Sequence, residues 1–389
     1  MSYDYDLLVI GAGIHGAAVA QAAAAAGYRT LVLEQFDQAA AATSSKSSKL
    51  VHGGLRYLES GQISLVRECL QERRRLLKNA PHLVHLTPFH IPIYKDTQRR
   101  PWTIRLGLGL YTLLGGKAFK QLTKSEWCEL DGLRTDSLNS VMRYYDGQTD
   151  DVRLTRAVLS SAQSLGAEVQ FGCTFERAAC SHQQCSIFYL EQGTGKEICS
   201  QALVNASGPW VNSVLNRVEP APDTLAIDLV QGTHLVVPGN LQQGMYYLEA
   251  PQDQRAVFAM PWQGNILLGT TESLFSGDPT AVQPLEEEIR YLLAVYNHYF
   301  ENTLDRSQVM AAFAGLRVLP KSEDTAFKRS RDTLLHIDEV NCPRVLSIYG
   351  GKLTSHRATA EQVIRRLKPL LPKRKKLADT RILSLPAVS

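Results

Sequence analysis

The feature that most constrains the fold is a glycine-rich turn between an apolar strand and a helix. Residues 5–10 read YDLLVI, a continuous apolar run that is typical of a buried strand. The next six residues, GAGIHG at 11–16, open an alanine-rich stretch at 17–26 that has the composition of a buried helix. Residues 30–33 form a second apolar run, and it ends at the acid Glu34.

This order of strand, glycine turn, helix, strand and acid predicts a dinucleotide-binding unit. Gly11 and Gly13 allow a tight turn and close approach to a pyrophosphate, and Gly16 lets the helix pack on the strand. Gly27 closes the helix as a C-cap. The helix N-terminus supplies amides and a dipole, and Glu34 would accept a bond from the adenosine ribose and disfavour a 2′-phosphate. The turn alone does not separate FAD from NAD.

Length and composition limit the classes of protein that fit. The 389 residues predict two domains, and the net charge of +4 gives no reason to expect a nucleic-acid partner. The seven cysteines have neither CxxC nor other metal-ligand spacing, which predicts reduced cytosolic thiols and no metal site. No signal peptide is recognisable, and no apolar run reaches the about eighteen residues of a spanning helix. We therefore expect a soluble or peripheral protein.

Two later segments end apolar strands in turns suited to a nucleotide. Residues 202–210, ALVNASGPW, form a strand with a small-residue turn, which either contacts the nucleotide or is a plain strand–helix connection. Residues 345–357, VLSIYGGKLTSHR, end a strand at two glycines before a helix start. Amides there and Lys352 suit a polarised carbonyl or a phosphate, and a surface lysine on a capped helix is the alternative.

A second set of segments predicts an antiparallel sheet that carries charge. Residues 312–319, AFAGLRVL, place Arg317 in an apolar run, where it either pairs with a carboxylate or binds an anionic ligand. Residues 229–237 and 266–271 alternate as antiparallel strands do. His234 is a structural residue unless it faces the same cavity as Arg56, Arg317 and Lys352, in which case its neutral imidazole suits an alcohol proton.

Seven segments together resemble one family, the FAD-dependent glycerol-3-phosphate dehydrogenases of the D-amino-acid-oxidase-like flavoprotein superfamily. In chain order they are VIGAGIHGAAVA, ATSSKSSKLVHGGLRYLE, LVNASGPWV, GTHLVVP, LLGTTE, AGLRVL and LSIYGGKLTSHR. The second of these, which spans residues 42–59, is the most specific. The resemblance extends from the first strand to residue 357 and so covers nearly the whole chain.

The resemblance implies an α/β (α+β) fold. It combines an FAD/NAD(P)-binding Rossmann-like domain on a mixed sheet with a substrate domain on an antiparallel sheet. The implied boundaries are 1–85, 145–225 and 310–370 for the discontinuous FAD-binding domain, 86–144 and 226–309 for the substrate-binding domain, and 371–389 for a tail or linker.

The resemblance also implies the site residues. Those expected to bind FAD are Gly11, Gly13, Gly16, Glu34, Thr43, Ser44, Ser45, Lys49, Leu50, His52, Gly53, Ala206, Gly208, Gly315, Gly350, Gly351, Lys352, Leu353 and Thr354. Thr43, Ser44 and Ser45, taken alone, fit a helix N-cap cluster equally well. Those expected around the substrate are Arg56, Tyr57, His234, Thr271, Arg317 and Lys352.

The implied reaction is oxidation of sn-glycerol 3-phosphate to dihydroxyacetone phosphate, with hydride transfer to flavin N5 and electrons passed on to a membrane quinone. The expected catalytic residues are His234, Arg317, Lys352 and Arg56. His234 is the expected base, and Arg317, a water or His52 are alternatives. Lys352 and nearby amides would favour negative charge on the flavin.

Two stretches predict contact with an anionic membrane. Residues 99–120 hold five basic residues and no acid among leucines and aromatics, and residues 365–376 hold seven basic residues and no acid. The alternative is a solvated basic face. The expected location is cytoplasmic, peripheral on the inner face of the cytoplasmic membrane, and a homodimer is an open alternative for assembly.

The chain departs from the family at two places. Glu272 follows GTT where relatives often have Asp, and relatives usually continue into a C-terminal helical domain that this sequence is expected to lack. Three rival functions stay open on the residues alone. They are an FAD-dependent 2-hydroxy-acid dehydrogenase or amine oxidase, a non-catalytic FAD-binding protein, and an NAD-linked dehydrogenase.

Overall fold

The computed structural model describes residues 3–59, 61–321 and 333–388, and for Arg56 it describes the backbone only. Its helices are α1 (Ile14–Ala25), α2 (Ile63–Asn79), α3 (Pro101–Leu113), α4 (Asp151–Ser164), α5 (Val211–Leu215), α6 (Glu286–Tyr299) and α7 (His356–Leu367). Short 3-10 turns lie at Thr43–Ser45, Leu55–Leu58, Lys124–Glu129, Gly208–Trp210, Pro279–Ala281 and Arg306–Gln308.

The strands divide between two large sheets. In chain order they are β1 (Tyr5–Ile10), β2 (Thr30–Leu33), β3 (Leu50–Val51), β4 (Val84–Tyr94), β5 (Lys120–Gln121), β6 (Leu138–Thr149), β7 (Glu168–Gln170), β8 (Cys173–Cys180), β9 (Cys185–Glu191), β10 (Thr194–Asn205), β11 (Val218–Glu219), β12 (Ile227–Val237), β13 (Met245–Glu249), β14 (Ala256–Trp262), β15 (Asn265–Gly269), β16 (Ser273–Phe275), β17 (Ala311–Pro320), β18 (Leu334–Ile337) and β19 (Val345–Tyr349).

The first sheet has a parallel centre with antiparallel additions. Strands β7, β2, β1, β10 and β19 run parallel in that order, and Leu8 of β1 lies opposite Leu31 on one side and Leu203 on the other. Strands β8 and β9 form an antiparallel meander with the first half of β10, and β18 is antiparallel to β19. The predicted Rossmann-like unit on a mixed sheet is confirmed.

Both faces of the first sheet are buried, which explains why its strands read as continuous apolar runs. Leu7 and Val9 point into the core beneath α1, α4 and α7, whereas Leu8 and Ile10 point into the core on the opposite face. The alanines of α1 let that helix lie close to the strands. A side chain at Gly16 would collide with the carbonyl oxygen of Gly11, so the third glycine serves this packing, as predicted.

The second sheet follows the order β16, β12, β15, β14, β13, β4, β6 and β3, with β17 on the other edge of β12 and β5 on β6. Its pairings are antiparallel except that between β4 and β13. The predicted antiparallel pairing of residues 229–237 with 266–271 is present, with His234 opposite Gly269. Helix α6 covers one face of this sheet, and α2 and α3 cover another part of it.

The sheets do not divide the chain where the predicted domain boundaries lie. Strand β6 continues to Thr149, beyond the boundary at 144/145, and pairs with β4 over its length. Strand β17 lies in the segment 310–370 but pairs with β12 in the second sheet. Arg317 and Gly315 therefore belong to the second sheet, because their backbone completes the edge of β12.

The expectation that the cysteines are reduced is wrong for one pair. Cys180 and Cys185 form a disulfide in the β8–β9 hairpin, with Cα atoms 4.0 Å apart. The two residues end neighbouring antiparallel strands and stand directly opposite each other, so the hairpin register brings their sulfurs together. The spacing of five residues gave no CxxC signal.

The last residues form an extended strap that packs against the ends of α1 and α2. Leu371 and Leu385 join the core beneath α1, and the amides of Leu377 and Leu385 donate to carbonyls of Ala25 and Asn79. Arg374 pairs with the buried Asp6 at 2.8 Å. None of the helices within the residues described has the length and apolarity needed to cross a membrane.

Candidate active site

The glycine turn after β1 is shaped by contacts within the chain. Gly11 has a φ of +98°, and a side chain there would lie 2.8 Å from the carbonyl oxygen of Ala206. A side chain at Gly13 would meet only the Ser44 hydroxyl, at 3.0 Å. Gly11 and Gly13 both line a cavity of about 730 Å³ that extends from this turn to the second sheet. The turn therefore presents open backbone to that cavity.

Glu34 lies where a ribose-binding acid is expected. Its carboxylate accepts hydrogen bonds from the amides of Ala12 (2.6 Å) and Phe36 (3.0 Å), and it lines the cavity while being only 6% exposed. Burial raises the pKa of Glu34, and the two amide bonds oppose that rise. Each carboxylate oxygen keeps a second lone pair, so Glu34 can also accept from a ribose hydroxyl.

The hydroxyl-rich segment ties the nucleotide turn to the second sheet. Ser44 accepts a hydrogen bond from the amide of Ile14 at 2.9 Å, and so satisfies an amide in the first turn of α1. Thr43 donates to the carbonyl of Leu316 in β17 at 3.0 Å. The alternative of an N-cap cluster is not met, because Thr43–Ser45 form a 3-10 turn without a side-chain cap and Ser44 bonds an amide of α1 instead. Thr43 and Ser44 line the cavity, and Ser45 does not.

Lys49 is buried away from the cavity in an ion pair. Its ammonium lies 2.5 Å from a carboxylate oxygen of Asp151 and 2.8 Å from the carbonyl of Ser45. Asp151 also accepts bonds from the amide and hydroxyl of Ser47. The lysine predicted to bind cofactor therefore anchors the loop between the hydroxyl-rich segment and β3.

A buried polar cluster forms hydrogen bonds with the backbone of Gly53, the first of the paired glycines. The amide of Gly53 donates to the hydroxyl of Tyr111 and to Asp146, and Asp146 also accepts from Tyr111 and Arg73. A side chain at Gly53 would collide with Tyr111, and this contact accounts for glycine at that position. Gly53 lies outside the cavity lining, whereas its neighbour His52 lines it.

The loop after β19 lines the cavity next to the first turn of α1, because Gly351 lies against His15. The hydroxyl of Thr354 accepts from the amide of His52 at 3.1 Å, so this loop is joined to the paired-glycine segment. Gly350 and Gly351 have φ values of +71° and +123°, which glycine adopts without strain. The ammonium of Lys352 lies 4.8 Å from the centre of the Tyr57 ring.

Arg317 reaches the cavity from β17. Its guanidinium donates to Glu272 at 3.0 Å and to the hydroxyl of Thr270 at 3.2 Å, and its side chain is 25% exposed. It crosses β12 at Gly232, where a side chain would lie 2.7 Å from Nη2. The structure therefore gives Arg317 the predicted carboxylate partner, and it also directs the guanidinium toward the cavity, as binding of an anionic ligand would require.

His234 lies two residues beyond Gly232 and hence on the same face of β12. Its ring stacks on Phe313 with centroids 5.2 Å apart, and Nε2 lies 2.9 Å from the hydroxyl of Ser48. Burial lowers the pKa of His234 to about 3, and the positive charges of Arg317 and Lys49 add to the shift. The imidazole is therefore neutral at physiological pH and lines the cavity.

Thr271 is buried and does not line the cavity. Its hydroxyl accepts from the amide of Thr233 at 2.9 Å and donates to Glu288 at 2.7 Å, and the residue is 4% exposed. Glu288 also accepts from Gln231, Thr233 and Ser273, so its carboxylate fixes β12 against β16. These bonds lower the pKa of Glu288 against the effect of burial.

The cavity brings together most of the residues that the sequence singled out. Those on its wall are Gly11, Gly13, Glu34, Thr43, Ser44, Leu50, His52, Tyr57, Ala206, Gly208, His234, Gly315, Arg317, Gly350, Gly351, Lys352, Leu353 and Thr354. Those that the wall does not include are Gly16, Ser45, Lys49, Gly53 and Thr271. The side chain of Arg56 lies outside the described residues.

Sequence reasoning missed several side chains on the wall. Ser48 lies within the hydroxyl-rich segment and could have been noticed there, whereas Arg255, which immediately precedes β14, and Phe258 of β14 carried no local signal. Arg255 donates to the backbone carbonyl of Glu272 at 2.9 Å, which places a second guanidinium near Arg317. His15 occupies a variable position of the glycine motif and also lines the cavity.

The wall fits a dinucleotide that carries an extended ring system. It offers the open turn of Gly11 and Gly13, the first turn of α1, and Glu34 as a hydroxyl acceptor. It continues past Ser44 and His52 to Lys352 and the second sheet. His15 borders the cavity, but its two ring nitrogens are buried, and Nε2 lies against the backbone of Gly351.

Comparison with known proteins agrees with this geometry. The family model described as FAD dependent oxidoreductase matches residues 6–365. The chain is 38% identical over 372 residues to the aerobic glycerol-3-phosphate dehydrogenase of Escherichia coli (strain K12), covering 94% of this chain and 73% of that protein. It is 36% identical over 376 residues to the D-erythritol 1-phosphate dehydrogenase of Brucella abortus (strain 2308), covering 94% and 74%.

A solved structure is similar over nearly the whole chain. The glycerol-3-phosphate dehydrogenase from Bacillus halodurans, determined in complex with FAD, superposes with a TM-score of 0.77 at 26% identity. The match covers 98% of this chain and 67% of that one.

Proposed function

Because this chain belongs to the FAD dependent oxidoreductase family, we propose that it oxidises sn-glycerol 3-phosphate to dihydroxyacetone phosphate. The observation that carries the proposal is the shared face of β12. There the guanidinium of Arg317 and the neutral ring of His234 line one cavity with the dinucleotide turn. An anion-binding group and a proton acceptor beside a cofactor are what oxidation of a phosphorylated alcohol requires.

Several groups of the chain would hold FAD. The backbone of Gly11 and Gly13 and the amides of α1 suit the pyrophosphate, and Glu34 suits the ribose. The segment from Ser44 to His52 and the loop at Lys352 would flank the ring. Bound FAD supplies the hydride acceptor for oxidation of an alcohol carbon.

Positive charge on the cavity wall would bind the phosphate. Arg317 presents a planar fork suited to two parallel bonds, and Arg255 lies close enough to bond the backbone of Glu272. Glu272 forms an ion pair with Arg317. We infer that the substrate phosphate shares Arg317 with Glu272, and that Lys352 lies nearer the cofactor ring, where Tyr57 backs it.

His234 would take the proton of the substrate hydroxyl. Its lowered pKa keeps the ring neutral, which leaves one nitrogen with a lone pair. The bond between Ser48 and Nε2 fixes the orientation of the ring. A phosphate dianion bound at Arg317 would offset the charge that lowers the pKa of His234, so substrate binding makes the ring a stronger base.

A second candidate substrate is a longer polyol phosphate. The relative that acts on D-erythritol 1-phosphate is nearly as similar as the relative named for glycerol 3-phosphate. Both substrates join a phosphate to a hydroxylated carbon chain, so Arg317 and His234 serve either. Turnover with an artificial dye acceptor should compare the two phosphates with a 2-hydroxy acid and an amino acid. Turnover of the last two alone would overturn the proposal.

We further propose that the electron acceptor is a quinone and that α3 contacts an anionic membrane. Trp102, Leu106 and Leu113 are 67%, 68% and 82% exposed on α3, and Arg105 is exposed between them. This mixture of large apolar and basic side chains suits a lipid interface. Tyr111 of the same helix bonds the amide of Gly53, so the proposed membrane helix also supports the cofactor segment.

The basic segment 365–376 supports membrane contact less well. Arg374 is engaged with Asp6, and Arg366 donates to the carbonyl of Leu335. Lys375 of the same segment packs against the turn after α1, where a side chain at Gly27 would collide with its carbonyl. Part of this charge therefore serves the fold, and α3 is the better candidate for the membrane surface.

A further inference from the structure

Two segments on the cavity wall place alternate residues on opposite sides. In β12, Gly232 and His234 line the cavity, and in the segment from β15 to β16, Thr270 and Glu272 line it. Successive side chains of extended backbone lie on opposite faces, so the neighbours of these residues lie behind the wall. The four neighbours, none of which lines the cavity, are Gln231, Thr233, Thr271 and Ser273.

All four residues behind the wall donate hydrogen bonds to one carboxylate, that of Glu288 in α6. Gln231 and Thr233 of β12 each donate to Oε2 at 2.6 Å. Thr271 and Ser273 donate to Oε1 at 2.7 and 2.9 Å. One carboxylate oxygen therefore holds β12, and the other holds the segment that carries the two partners of the Arg317 guanidinium.

Glu288 is a buried charge whose partners are neutral groups. It lies in the first turn of α6, accepts from the amide of Leu285 at 3.2 Å, and is 3% exposed. Burial raises the pKa of Glu288, but the hydrogen bonds outweigh burial and lower that pKa. Burying a charge is costly, and apolar side chains such as Leu292 already pack α6 on the sheet. This cost indicates a role that an apolar side chain could not fill.

We infer that Glu288 is a positioning residue that directs Arg317 toward the substrate phosphate. By bonding its two donors after β15, the carboxylate fixes the backbone on either side of Glu272. Thr270 and Glu272 accept hydrogen bonds from Arg317 at 3.2 and 3.0 Å, so the direction of the guanidinium depends on where these two residues lie. The inference rests on the proposed function, because it takes Arg317 as the group that binds phosphate.

Loss of this positioning should change KM more than kcat. The ring of His234 lies on the same wall, but Ser48 and Phe313 hold it independently of Glu288. Arg317 has its partners in the segment that Glu288 fixes, so phosphate binding is the more sensitive step. Weaker phosphate binding raises KM, whereas a displaced base lowers kcat.

The test compares Glu288→Gln with a control substitution on the same helix. Glu288→Gln keeps the size of the side chain and removes its charge and one acceptor oxygen. Leu292→Ala is the control, because Leu292 is fully buried and weakens the packing of α6 without removing a hydrogen bond. KM and kcat are measured per bound flavin, with glycerol 3-phosphate and a dye acceptor, well below the thermal midpoints. Both substitutions are repeated in Arg317→Met protein.

Glu288→Gln should raise KM for glycerol 3-phosphate about 10-fold and lower kcat by a smaller factor. Leu292→Ala should lower the thermal midpoint and leave KM unchanged. In Arg317→Met protein, Glu288→Gln should change KM by no more than about 2-fold, because the interaction that it supports is already lost. An unchanged KM in Glu288→Gln, or equal changes with and without Arg317, would overturn the inference and make Glu288 a structural residue of α6.

A second variant decides if Glu288→Gln does not fold. Ser273→Ala removes one donor beside Glu272; a rise in KM that disappears in Arg317→Met protein supports the inference, and an unchanged KM overturns it.

A wild-type protein that binds FAD but oxidises neither phosphate would refute the proposed function instead. The crystal structure of Glu288→Gln then decides the positioning role without substrate. A broken pair between Arg317 and Glu272 supports that role, and an intact pair overturns it.

Discussion

Replacing Lys49 by methionine tests whether this lysine serves the fold or the cofactor. The resemblance placed Lys49 among the FAD-binding residues, whereas the structure pairs it with Asp151. The lysine side chain is 5% exposed and the aspartate is fully buried. Lys49→Met would leave the Asp151 carboxylate with only the bonds from Ser47 and the amide of Val152.

Breaking one partner of a buried ion pair costs about 3–5 kcal/mol, because the other charge stays buried without compensation. The entropy of unfolding is about 2.1 cal/mol/K per residue, so for 389 residues this loss lowers the thermal midpoint by about 4–6 °C. The midpoint is measured by calorimetry or circular dichroism, both with and without FAD. We expect the loss in both forms.

The double variant Lys49→Met/Asp151→Asn is the matched control. It removes both charges, so part of the stability lost in Lys49→Met should return. The reasoning is refuted if Lys49→Met leaves the midpoint of the flavin-free protein unchanged while FAD release accelerates. Lys49 would then act on the cofactor, as the resemblance implied.

Three further predictions concern the substrate cavity and the membrane. Arg317→Met should lower kcat/KM for the phosphate substrate about 10- to 100-fold, because a charged hydrogen bond is lost. Glu272→Gln keeps the guanidinium and should lower kcat/KM less. Equal losses in the two variants would argue against phosphate binding at Arg317. Because the folded pKa of His234 is about 3 and the ordinary value is 6.5, its contribution to stability is complete above pH 6.5 and declines as the pH falls toward 3. Between pH 6.5 and 4.5, the free energy of unfolding should therefore fall about 2–3 kcal/mol less in His234→Gln than in the wild type, as measured by denaturant titrations. If the free energies of unfolding of the two proteins depend on pH in the same way, the burial of a neutral ring is contradicted. The double variant Trp102→Ser/Leu106→Ser should sediment less with anionic vesicles than the wild type. The control variant Leu274→Ser replaces a leucine that is 70% exposed on β16, and it should sediment like the wild type. Equal effects of the two changes would remove α3 as the membrane contact.

The nucleotide end could be predicted from the sequence because its signals are local. The strand, glycine turn, helix and Glu34 follow one another within residues 5–34, and each has a backbone reason visible in the residue types. The strand at 345–349 and its paired glycines were predictable for the same reason. These elements appear in the structure at nearly the predicted bounds.

The substrate side depended on contacts between distant segments. Lys49 and Thr271 lie in motif segments, yet register and burial turn both side chains toward buried carboxylates instead of the cavity. Arg255 immediately precedes β14 and reaches the cavity wall beside the distant Glu272, whose backbone carbonyl it bonds. The Cys180–Cys185 disulfide likewise depends on a hairpin register that spacing alone does not give.

Anaerobic titration of the purified protein tests the central claim most directly. Glycerol 3-phosphate is added in the absence of oxygen, and the visible flavin band is recorded, with D-erythritol 1-phosphate and lactate in parallel. The account predicts a flavin band that bleaches with glycerol 3-phosphate and not with lactate, and that bleaches far more slowly in Arg317→Met. A bound flavin that stays oxidised with both phosphates would contradict the proposed function.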